Sequence, residues 1–333
     1  MPDVVCLGEL LIDFVAAEAN RPLADVAAFR RAPGGAPANV ACGVVRLGRS
    51  AAFIGKIGAD PFGSFLRCTL REAGVDTAGL VSTPDARTTL AFVGVHDDGR
   101  KEIFFYRHPG ADMLLGPADV DERLVAGAKC FHFGSISLMD PGPREATLRA
   151  ARAARRAGAL VTYDPNWRPA LWSDERIARD LVWAGIALAD VVKVSLEEWR
   201  FVTGTDNLAR GADDIHSAGP RLVVVSMGER GCWYHHAAAS GAVGPFAVEV
   251  VECTGAGDAF MASLIVDLLD HREAGGTLES LSAADLERLA RRANAVGALA
   301  CTRPGAIPAL PTRAEADALM GRSAGCNLRG GRT

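Results

Sequence analysis

Residues 252–260 read Glu-Cys-Thr-Gly-Ala-Gly-Asp-Ala-Phe, a glycine-rich turn placed directly before a predicted helix. Apolar residues recur with helical spacing after the turn, at Phe260, Leu264, Leu268 and Leu269. The first N–H groups of a helix have no partner within it and attract anions. Small residues at 255–257 let a phosphate approach the main chain, and Asp258 in the first turn is placed to accept a proton.

Taken alone, this run has two explanations. Asp258 is either a base at an anion site or a first-turn acid that interacts well with the helix dipole, and the glycines are either part of that site or a simple tight turn. A second glycine cluster, Gly-Gly-Ala-Pro-Ala-Asn at 34–39, adds weight to the functional explanation.

Short apolar runs recur along the chain and predict strands at 4–7, 51–54, 130–133, 160–163, 191–194 and 222–226. Many of these runs are continuous, which is typical of central parallel strands that are covered on both faces. Helical patterns fall between them, at 36–47, 62–73 and 143–157. The sequence therefore predicts an α/β fold with a doubly wound, mostly parallel central sheet flanked by helices.

Two stretches interrupt this alternation, at about 14–31 and 88–107. In the second stretch, Asp98-Gly99 separates two apolar runs and predicts a hairpin. The aromatic side chains of this hairpin offer more apolar surface than an isolated hairpin buries, so another part of the protein must cover it. The two stretches are either a small separate sheet or an edge extension of the main sheet.

Composition narrows the function classes. The 333 residues are 49% hydrophobic and 23% charged, which is enough for one large core or two unequal ones. A net charge of −4 provides no basic field for nucleic acid, so we expect a small-molecule partner and no nucleic acid. The eight cysteines are scattered without a C-x-x-C pair and are predicted to be reduced. We find no secretion signal and no run of about 18 apolar residues, so we expect no membrane contact and a cytoplasmic location.

The motifs, taken in order, resemble the ribokinase-like (PfkB) family of carbohydrate kinases. The resemblance rests on Gly8-Glu9 with Asp13, the cluster at 34–39, Asp164-Pro165-Asn166-Trp167-Arg168, the runs at 193–198 and 226–231, and the turn before Asp258. It implies one kinase domain over 1–320, in which the stretches at about 14–31 and 88–107 form a small β-sheet lid over a sugar. It also implies a homodimer through the lid. Residues 321–333 lack apolar periodicity and are predicted to be a flexible tail.

The resemblance implies transfer of the γ-phosphoryl group of ATP to a primary hydroxyl of a small sugar. It makes Asp258 the catalytic base, with the main chain of Gly255, Ala256 and Gly257 and the side chain of Arg168 stabilising charge. The predicted sugar-binding residues are Asp13, Gly34, Gly35, Asn39, Tyr106 and Arg107. Without the resemblance, a structural role is the better explanation for each, with Asp13 capping a local segment and Asn39 bonding to its own helix turn.

The acceptor is the least constrained part of this prediction. The string Tyr106-Arg107-His108-Pro109-Gly110 and the five residues after it resemble fructokinases, whose pattern has Asn and Ser where this chain has His108 and Gly110. The stretch at 164–172 is shared with 2-keto-3-deoxygluconate kinases. We therefore expect fructose first, then 2-keto-3-deoxygluconate, then ribose or a nucleoside. The alternative from another class is a sugar-sensing binding protein.

The second half of the chain is expected to bind the nucleotide, through Asn166, Lys193, Ser195, Ser226, Gly228, Gly231, Thr254 and Asn294. Glu198 is predicted to orient water around Mg²⁺, an ion that keeps several waters in protein sites. Ser195 and Glu198 also fit a helix capping box, and the two roles are compatible.

A monovalent cation is also implied by the resemblance. The family pattern has Asp-Thr-Thr before the glycine turn, and its Asp helps to bind potassium in some members. Here Glu252 and Cys253 stand in the first two positions. The longer Glu252 either displaces the ion or reaches it differently, and K⁺ stays a candidate cofactor. The remaining ligands would be carbonyl oxygens, expected from Thr254, Ala300, Arg303 and Gly305.

Overall fold

The computed structural model describes residues 1–96 and 101–327, and within them two sheets and ten α-helices organise the chain. The strands are β1 (Val4–Leu7), β2 (Leu11–Ala16), β3 (Phe29–Gly34), β4 (Ala51–Gly58), β5 (Leu80–Thr83), β6 (Leu90–Val95), β7 (Lys101–Tyr106), β8 (Cys130–Gly134), β9 (Leu160–Asp164), β10 (Val191–Ser195), β11 (Leu222–Ser226), β12 (Cys232–His236) and β13 (Ala239–Val243). The helices are α1 (Ala36–Arg46), α2 (Pro61–Glu72), α3 (Glu122–Ala126), α4 (Pro141–Arg156), α5 (Glu175–Ile186), α6 (Leu196–Thr203), α7 (Leu208–Ser217), α8 (Ala256–Glu273), α9 (Ala283–Ala300) and α10 (Arg313–Asn327).

The larger sheet has nine strands in the order β13-β12-β11-β10-β9-β8-β1-β4-β5. The strands from β11 to β5 are parallel, and β12 and β13 extend one edge in antiparallel fashion. This arrangement confirms the predicted mostly parallel sheet. Because the carboxyl ends of parallel strands meet at one edge, the loops after β1, β8, β9 and β10 open toward the same side of the protein.

Helices cover both faces of this sheet, which explains why its strands are apolar without alternation. In β1, Val4 and Cys6 pack into one core with α1, α8 and α9, while Val5 and Leu7 pack into a second core with α4 and α5. All four side chains are fully buried. The central strands therefore form a rigid platform under the loops at their carboxyl ends.

The smaller sheet has the order β3-β2-β6-β7 and is separate from the larger one. We refer to it as the lid sheet. Strands β2 and β6 are parallel, and the two outer pairs are antiparallel. The alternative of an edge extension of the main sheet is therefore wrong. The antiparallel pairing of β6 with β7 confirms the hairpin, although its predicted turn at Asp98-Gly99 lies outside the described residues.

The predicted helices at 36–47, 62–73 and 143–157 agree with α1, α2 and α4 to within one or two residues, which is the usual uncertainty of helix ends. The last helix differs from the prediction, because α10 continues to Asn327 through the first part of the expected tail. The remainder of that tail, 328–333, lies outside the described residues. Within the described chain, no helix combines the length and the apolar character needed to cross a membrane.

Candidate active site

A cavity of about 400 Å³ lies between the lid sheet and the carboxyl ends of the central strands. Its volume is within the range of small-molecule sites. Eleven residues that were predicted from the sequence as site residues line this cavity. They are Asp13, Gly35, Asn39, Asn166, Arg168, Lys193, Glu252, Thr254, Gly255, Gly257 and Asp258. Residues predicted for the sugar and residues predicted for phosphate therefore face one another across a single cavity.

The lid sheet presents one face of its strands to this cavity. The lining side chains alternate along β2, β6 and β7, and they are Leu11, Asp13, Val15, Val93, Val95, Ile103 and Phe105. Asp13 is the carboxylate among them. The sequence placed Asp13 after a central strand, whereas the structure places it inside β2 of the lid sheet. Asp13 nevertheless lines the cavity, and its predicted contact with the sugar stays a prediction.

Asp258 lies in the first turn of α8, and its Oδ2 accepts a hydrogen bond from Asn39 Nδ2 at 2.8 Å. Burial raises the pKa of Asp258 to about 6, while the hydrogen bond from Asn39 and the nearby positive charges of Lys193 and Arg168 oppose that rise. A carboxylate with a pKa near 6 is ionised at neutral pH, and it is a better proton acceptor than an ordinary aspartate.

The turn before α8 is fixed by close contacts. Gly255 has a left-handed φ of 80°, and a Cβ there would lie 2.7 Å from the Cβ of Ala306. The N–H of Ala256 already donates to the carbonyl of Cys253 at 3.3 Å, so this amide is partly used inside the turn. The main chain of Gly255 and Gly257 borders the cavity, and it is the part of the turn that a phosphate would meet.

A buried ion pair lies beneath the turn. Lys193 Nζ is 2.8 Å from Asp164 Oδ2, and a Cβ at Gly257 would lie 3.0 Å from the same Nζ. Burial alone would lower the pKa of Lys193, but the carboxylates of Asp164 and Glu198 outweigh burial and raise it. Lys193 therefore stays charged and adds a fixed positive charge beside the predicted phosphate position.

Arg168 and Asn166 reach the cavity from the loop after β9. Asn166 has a left-handed φ of 44°, and its N–H donates to Asp164 Oδ1 at 3.2 Å. Arg168 Nη1 donates to the carbonyls of Asn166 and Trp167 at 3.3 and 3.2 Å. These bonds orient the guanidinium toward the cavity, where it suits a phosphate or a carboxylate.

Two residues predicted to contact the sugar, one in β7 and one just after it, do not line the cavity. Tyr106 lies on the opposite face of the lid sheet, 62% exposed, and its ring contacts Phe92 and Phe104. Arg107 is buried, and its guanidinium pairs with Asp112 at 2.7 Å and with Asp140 at 3.0 Å. Both predictions are therefore wrong for the cavity of this chain, since neither side chain lines it.

Gly34 does not line the cavity, but it makes room for a residue that does. A Cβ at Gly34 would lie 2.4 Å from Asp13 Oδ2. At Gly35, with a φ of 113°, a Cβ would lie 2.3 Å from the carbonyl oxygen of Glu9. The glycine pair therefore permits the close approach of β3 to Asp13 and to the segment after β1.

Several residues predicted for the nucleotide lie beyond the cavity wall. Ser195 and Ser226 are paired neighbours at the carboxyl ends of β10 and β11. Gly228 and Gly231, both with positive φ, form the turn that follows Ser226. Asn294 is buried in α9, and its Nδ2 donates to the carbonyls of residues 243 and 244 at 3.0 Å each. The side chain of Asn294 therefore holds this loop, and Ser195 and Ser226 end their strands beside each other. Nucleotide binding by these residues stays a prediction.

Glu198 forms the predicted capping box. Its Oε2 accepts from the N–H and the hydroxyl of Ser195 at 3.0 and 2.8 Å, and its Oε1 accepts from the N–H of Trp167. Both carboxylate oxygens are thus engaged by the protein. Over 1–96 and 101–327, no group of three or more His, Cys, Asp or Glu side chains is arranged to hold a metal ion.

The residues proposed for a monovalent cation surround one loop, but their contacts do not fit an ion at Glu252. Glu252 Oε2 accepts from the N–H of Gly305 at 2.9 Å and from Arg30 Nη2 at 3.3 Å. A cation at this oxygen would face the positive charge of Arg30. The neighbouring Arg303 pairs through its side chain with Glu315, and Thr254 and Ala300 lie on the two segments that meet here.

Three residues of this site with polar or ionisable side chains were not among the predicted site residues. Glu9 lines the cavity, its Oε1 accepts from the N–H of Ala36 at 2.8 Å, and burial raises its pKa to about 7. Asp164 is the partner of Lys193, and Cys253 is an exposed thiol on the cavity wall. Glu9 and Asp164 lie in motifs that the sequence contains, so the signal was available. A buried ion pair, however, becomes visible only when two strands are placed side by side.

Comparison with known proteins identifies the family of this chain. The model of the pfkB family carbohydrate kinases matches residues 1–313. Fructokinase-1 of Oryza sativa subsp. japonica is 45% identical over an alignment of 321 residues, which covers 95% of this chain and 97% of that protein. The alignment therefore covers almost the whole length of both proteins.

Solved structures lead to the same family. A fructokinase from Xylella fastidiosa with bound ATP is 36% identical, with a TM-score of 0.87 over 97% of this chain and 100% of that one. A double mutant of fructokinase from Vibrio cholerae O395, in its fructose-, ADP- and potassium-bound form, is 32% identical, with a TM-score of 0.83 over 96% of this chain and 98% of that one. These matches confirm the resemblance seen in the motifs, and the chain belongs to the pfkB family of carbohydrate kinases.

Proposed function

We propose that this carbohydrate kinase is an ATP-dependent fructokinase, which transfers the γ-phosphoryl group to a primary hydroxyl of fructose. The observation that carries the proposal is the position of Asp258. Its carboxylate is bonded to Asn39, it faces the cavity that Asp13 lines, and it follows the turn at 255–257 in the same helix start. A proton acceptor, a polar sugar pocket and an anion site therefore share one small volume.

The mechanism follows from these contacts. Asp258 accepts the proton of the primary hydroxyl, and the hydroxyl oxygen then forms a bond to the γ-phosphorus of Mg·ATP while the bond to the ADP oxygen breaks in line. Lys193, Arg168 and the main chain of Gly255 and Gly257 stabilise the charge on the transferred phosphoryl oxygens. In the Mg·ATP substrate, Mg²⁺ neutralises part of the phosphate charge. The lid sheet covers the sugar and limits hydrolysis by water.

Fructose is favoured over other acceptors by the sequence relatives and by the motif after β7. Relatives that cover almost the whole chain are named fructokinases. One feature keeps a sugar acid open as a second candidate, because the guanidinium of Arg168 reaches the cavity and suits a carboxylate. The acceptor test below therefore includes 2-keto-3-deoxygluconate.

The decisive experiment measures ADP release by the purified protein with fructose, 2-keto-3-deoxygluconate, ribose and a nucleoside as acceptors. We expect the highest kcat/KM with fructose. Asp258→Asn should lower kcat by about 10²- to 10⁴-fold, the usual contribution of a general base. It should not lower the melting temperature, because the substitution removes a buried charge.

Asp267→Asn is the matched control, since Asp267 is a buried carboxyl of the same helix that does not line the cavity. This variant should keep its kcat within a few fold. A near-normal kcat of Asp258→Asn would contradict the assigned base. ATP-binding without ADP release for any acceptor would instead favour a sugar-sensing protein.

The assembly and compartment are further parts of this proposal. On the outer face of the lid sheet, Phe104 and Tyr106 are 56% and 62% exposed, and such aromatic surface is typical of a protein contact. We propose a homodimer in which two lid sheets pack through this face. Reduced thiols such as those of Cys6, Cys42 and Cys130, which are buried in the core, support the cytoplasm as the compartment.

A further inference from the structure

Glu252 connects three segments of the protein that surround the anion-binding turn. Its Oε2 accepts a hydrogen bond from the N–H of Gly305 at 2.9 Å, which ties it to the loop after α9. The same oxygen is 3.3 Å from Nη2 of Arg30, which belongs to strand β3 of the lid sheet. An ion pair therefore joins the lid sheet directly to the residue that begins the run 252–258.

The segment around Glu252 supports the turn itself. The N–H groups of Val251 and Glu252 both donate to the carbonyl of Cys301, at 2.8 and 3.2 Å. Gly255 is packed so tightly on Ala306 that a Cβ there would lie 2.7 Å from the Cβ of Ala306. Any shift of Glu252 relative to the loop at 301–306 would therefore change the position of the amides at 255–257.

A double mutant of the fructokinase from Vibrio cholerae O395 has been solved in a potassium-bound form, and the family resemblance implies such an ion next to position 252. In this chain the positive charge next to Glu252 is the guanidinium of Arg30, which is part of the protein. A tethered group is present at a much higher effective concentration than a freely diffusing ion. An alkali ion at the same carboxylate oxygen would also be repelled by Arg30.

We infer that Arg30 takes the place of a monovalent cation at Glu252, so that catalysis does not depend on potassium and the lid sheet acts on the anion-binding turn through this ion pair. The inference rests on the proposed kinase function. Arg30 is half-exposed, and an exposed ion pair contributes little to folding stability. Its effect should therefore be measured in the response to cations and in turnover.

The test compares the wild type, Arg30→Gln and Glu252→Asp in about 100 mM KCl and in tetramethylammonium chloride of equal ionic strength. The wild type should keep its kcat/KM within about twofold between the two salts. Glu252→Asp, which restores the shorter carboxylate, should become stimulated by K⁺ about fivefold or more. Arg30→Gln should lose about fivefold or more of its kcat in tetramethylammonium and recover part of it in K⁺.

Arg31→Gln is the matched control. Arg31 is the next residue of β3, and its guanidinium lies 3.7 Å over the ring of Phe65. Its replacement should leave the response to K⁺ unchanged. A second readout that needs no turnover is the melting temperature in the two salts, which should differ for Glu252→Asp and not for the wild type.

Two results overturn the inference: potassium activation of the wild type by more than about fivefold, or no response of Glu252→Asp to K⁺ in either readout. A wild type that phosphorylates none of the acceptors would contradict the proposed function instead. In that case the melting temperatures still decide whether Glu252 and Arg30 exclude the ion.

Discussion

Asp258 and Asp267 are both buried carboxyl groups of α8, yet their surroundings give them different roles. Burial raises the pKa of each to about 6. Asp267 is 3.4 Å from Arg292 and 3.9 Å from Arg313, so its charge is used in an ion-pair network. Asp258 instead accepts one hydrogen bond, from Asn39, and faces the cavity. The raised pKa alone would not have distinguished the proposed base, Asp258, from the structural acid, Asp267.

The activity should depend on pH through Asp258. Protonated Asp258 cannot accept the hydroxyl proton, so kcat/KM should fall as the pH decreases through about 6. The hydrogen bond from Asn39 favours the charged carboxylate, and Asn39→Ala should therefore move the midpoint of the profile to higher pH. The measurement is kcat/KM for the sugar between about pH 5 and 8.

The control for this profile is Asp267→Asn, which removes a group with a similar pKa outside the cavity. Its midpoint should stay where the wild type has it. A midpoint that moves with Asp267→Asn, or that does not move with Asn39→Ala, would assign the acid limb to another group.

The raised pKa of Asp258 also makes the stability of the folded protein depend on pH. Because folding raises the pKa of Asp258 from 3.8 to about 6, its contribution to stability is fully present below pH 3.8 and is lost as the pH rises through 6. Two pKa units correspond to about 3 kcal/mol, which is the order of the cost of keeping this base ionised at neutral pH. The ionised state of Asp258 that the proposed catalysis needs therefore lowers the stability of the folded protein.

Among the elements, the junction between β3 and α1 controls the sugar side of the cavity. Gly34 ends β3 and Gly35 precedes the first residue of α1, so the chain passes from the lid sheet into a helix that carries Asn39. Asp13 in β2 pairs with Ala32 across the sheet and leans over Gly34. The absence of a side chain at 34 is what allows this position of the carboxylate.

Gly34→Ala tests this junction. The added Cβ would meet Asp13 Oδ2 at 2.4 Å and displace the carboxylate from its position. We expect KM for the sugar to rise by about 5- to 150-fold, which corresponds to the 1–3 kcal/mol of an unpaired buried polar group, with a smaller change in kcat. Gly116→Ala, where the nearest atom lies at 3.8 Å, should leave steady-state kinetics unchanged. An unchanged KM in Gly34→Ala would remove Asp13 from the sugar site.

The central strands and the long helices could be predicted from the sequence, whereas the short strands near the two edges of the large sheet could not. The central strands and the helices α1, α2 and α8 are marked by continuous apolar runs and by 3.6-residue spacing. Strands β5, β12 and β13 are short and contain Ser, Gly or His, so they are held by pairing at the sheet edge rather than by intrinsic preference.

The sequence predicted which segments meet at the site, but it did not always predict which side chains face the cavity. In β7 the sequence identified a strand of the lid and chose Tyr106 as the sugar contact, whereas Phe105 is the residue that lines the cavity. Side chains alternate with a period of two, so an error of one residue reverses the face. Arg107 was predicted as a sugar contact but does not line the cavity, because the fold brings Asp112 and Asp140 to its guanidinium.

At the scale of the whole molecule, the outer face of the lid sheet should decide the oligomeric state. Phe14, Phe92 and Phe104 are cross-strand neighbours on this face, and α2 covers Phe14 through Phe62 while Phe104 stays exposed. Phe104→Glu should convert a dimer into a monomer, because a buried unpaired charge in the interface is unfavourable. Sedimentation velocity measures the change.

Ile177→Glu is the control for the assembly, since Ile177 in α5 is 55% exposed and lies outside the lid sheet. This variant should sediment as the wild type does. A wild type that is monomeric at all concentrations tested, or a Phe104→Glu variant that stays dimeric, would contradict assembly through this face.

Because side chains alternate along β2, β6 and β7, the two faces of the lid sheet can change independently as sequences diverge. Its cavity side is built from odd-numbered positions such as Asp13, Val93 and Phe105, and its outer side from even-numbered positions such as Phe92 and Phe104. Substitutions at the odd-numbered positions would change the choice of acceptor and leave the assembly intact. Substitutions at the even-numbered positions would change the assembly and leave the choice of acceptor intact. A single inserted residue in one of these strands would exchange the two sets and spoil both at once.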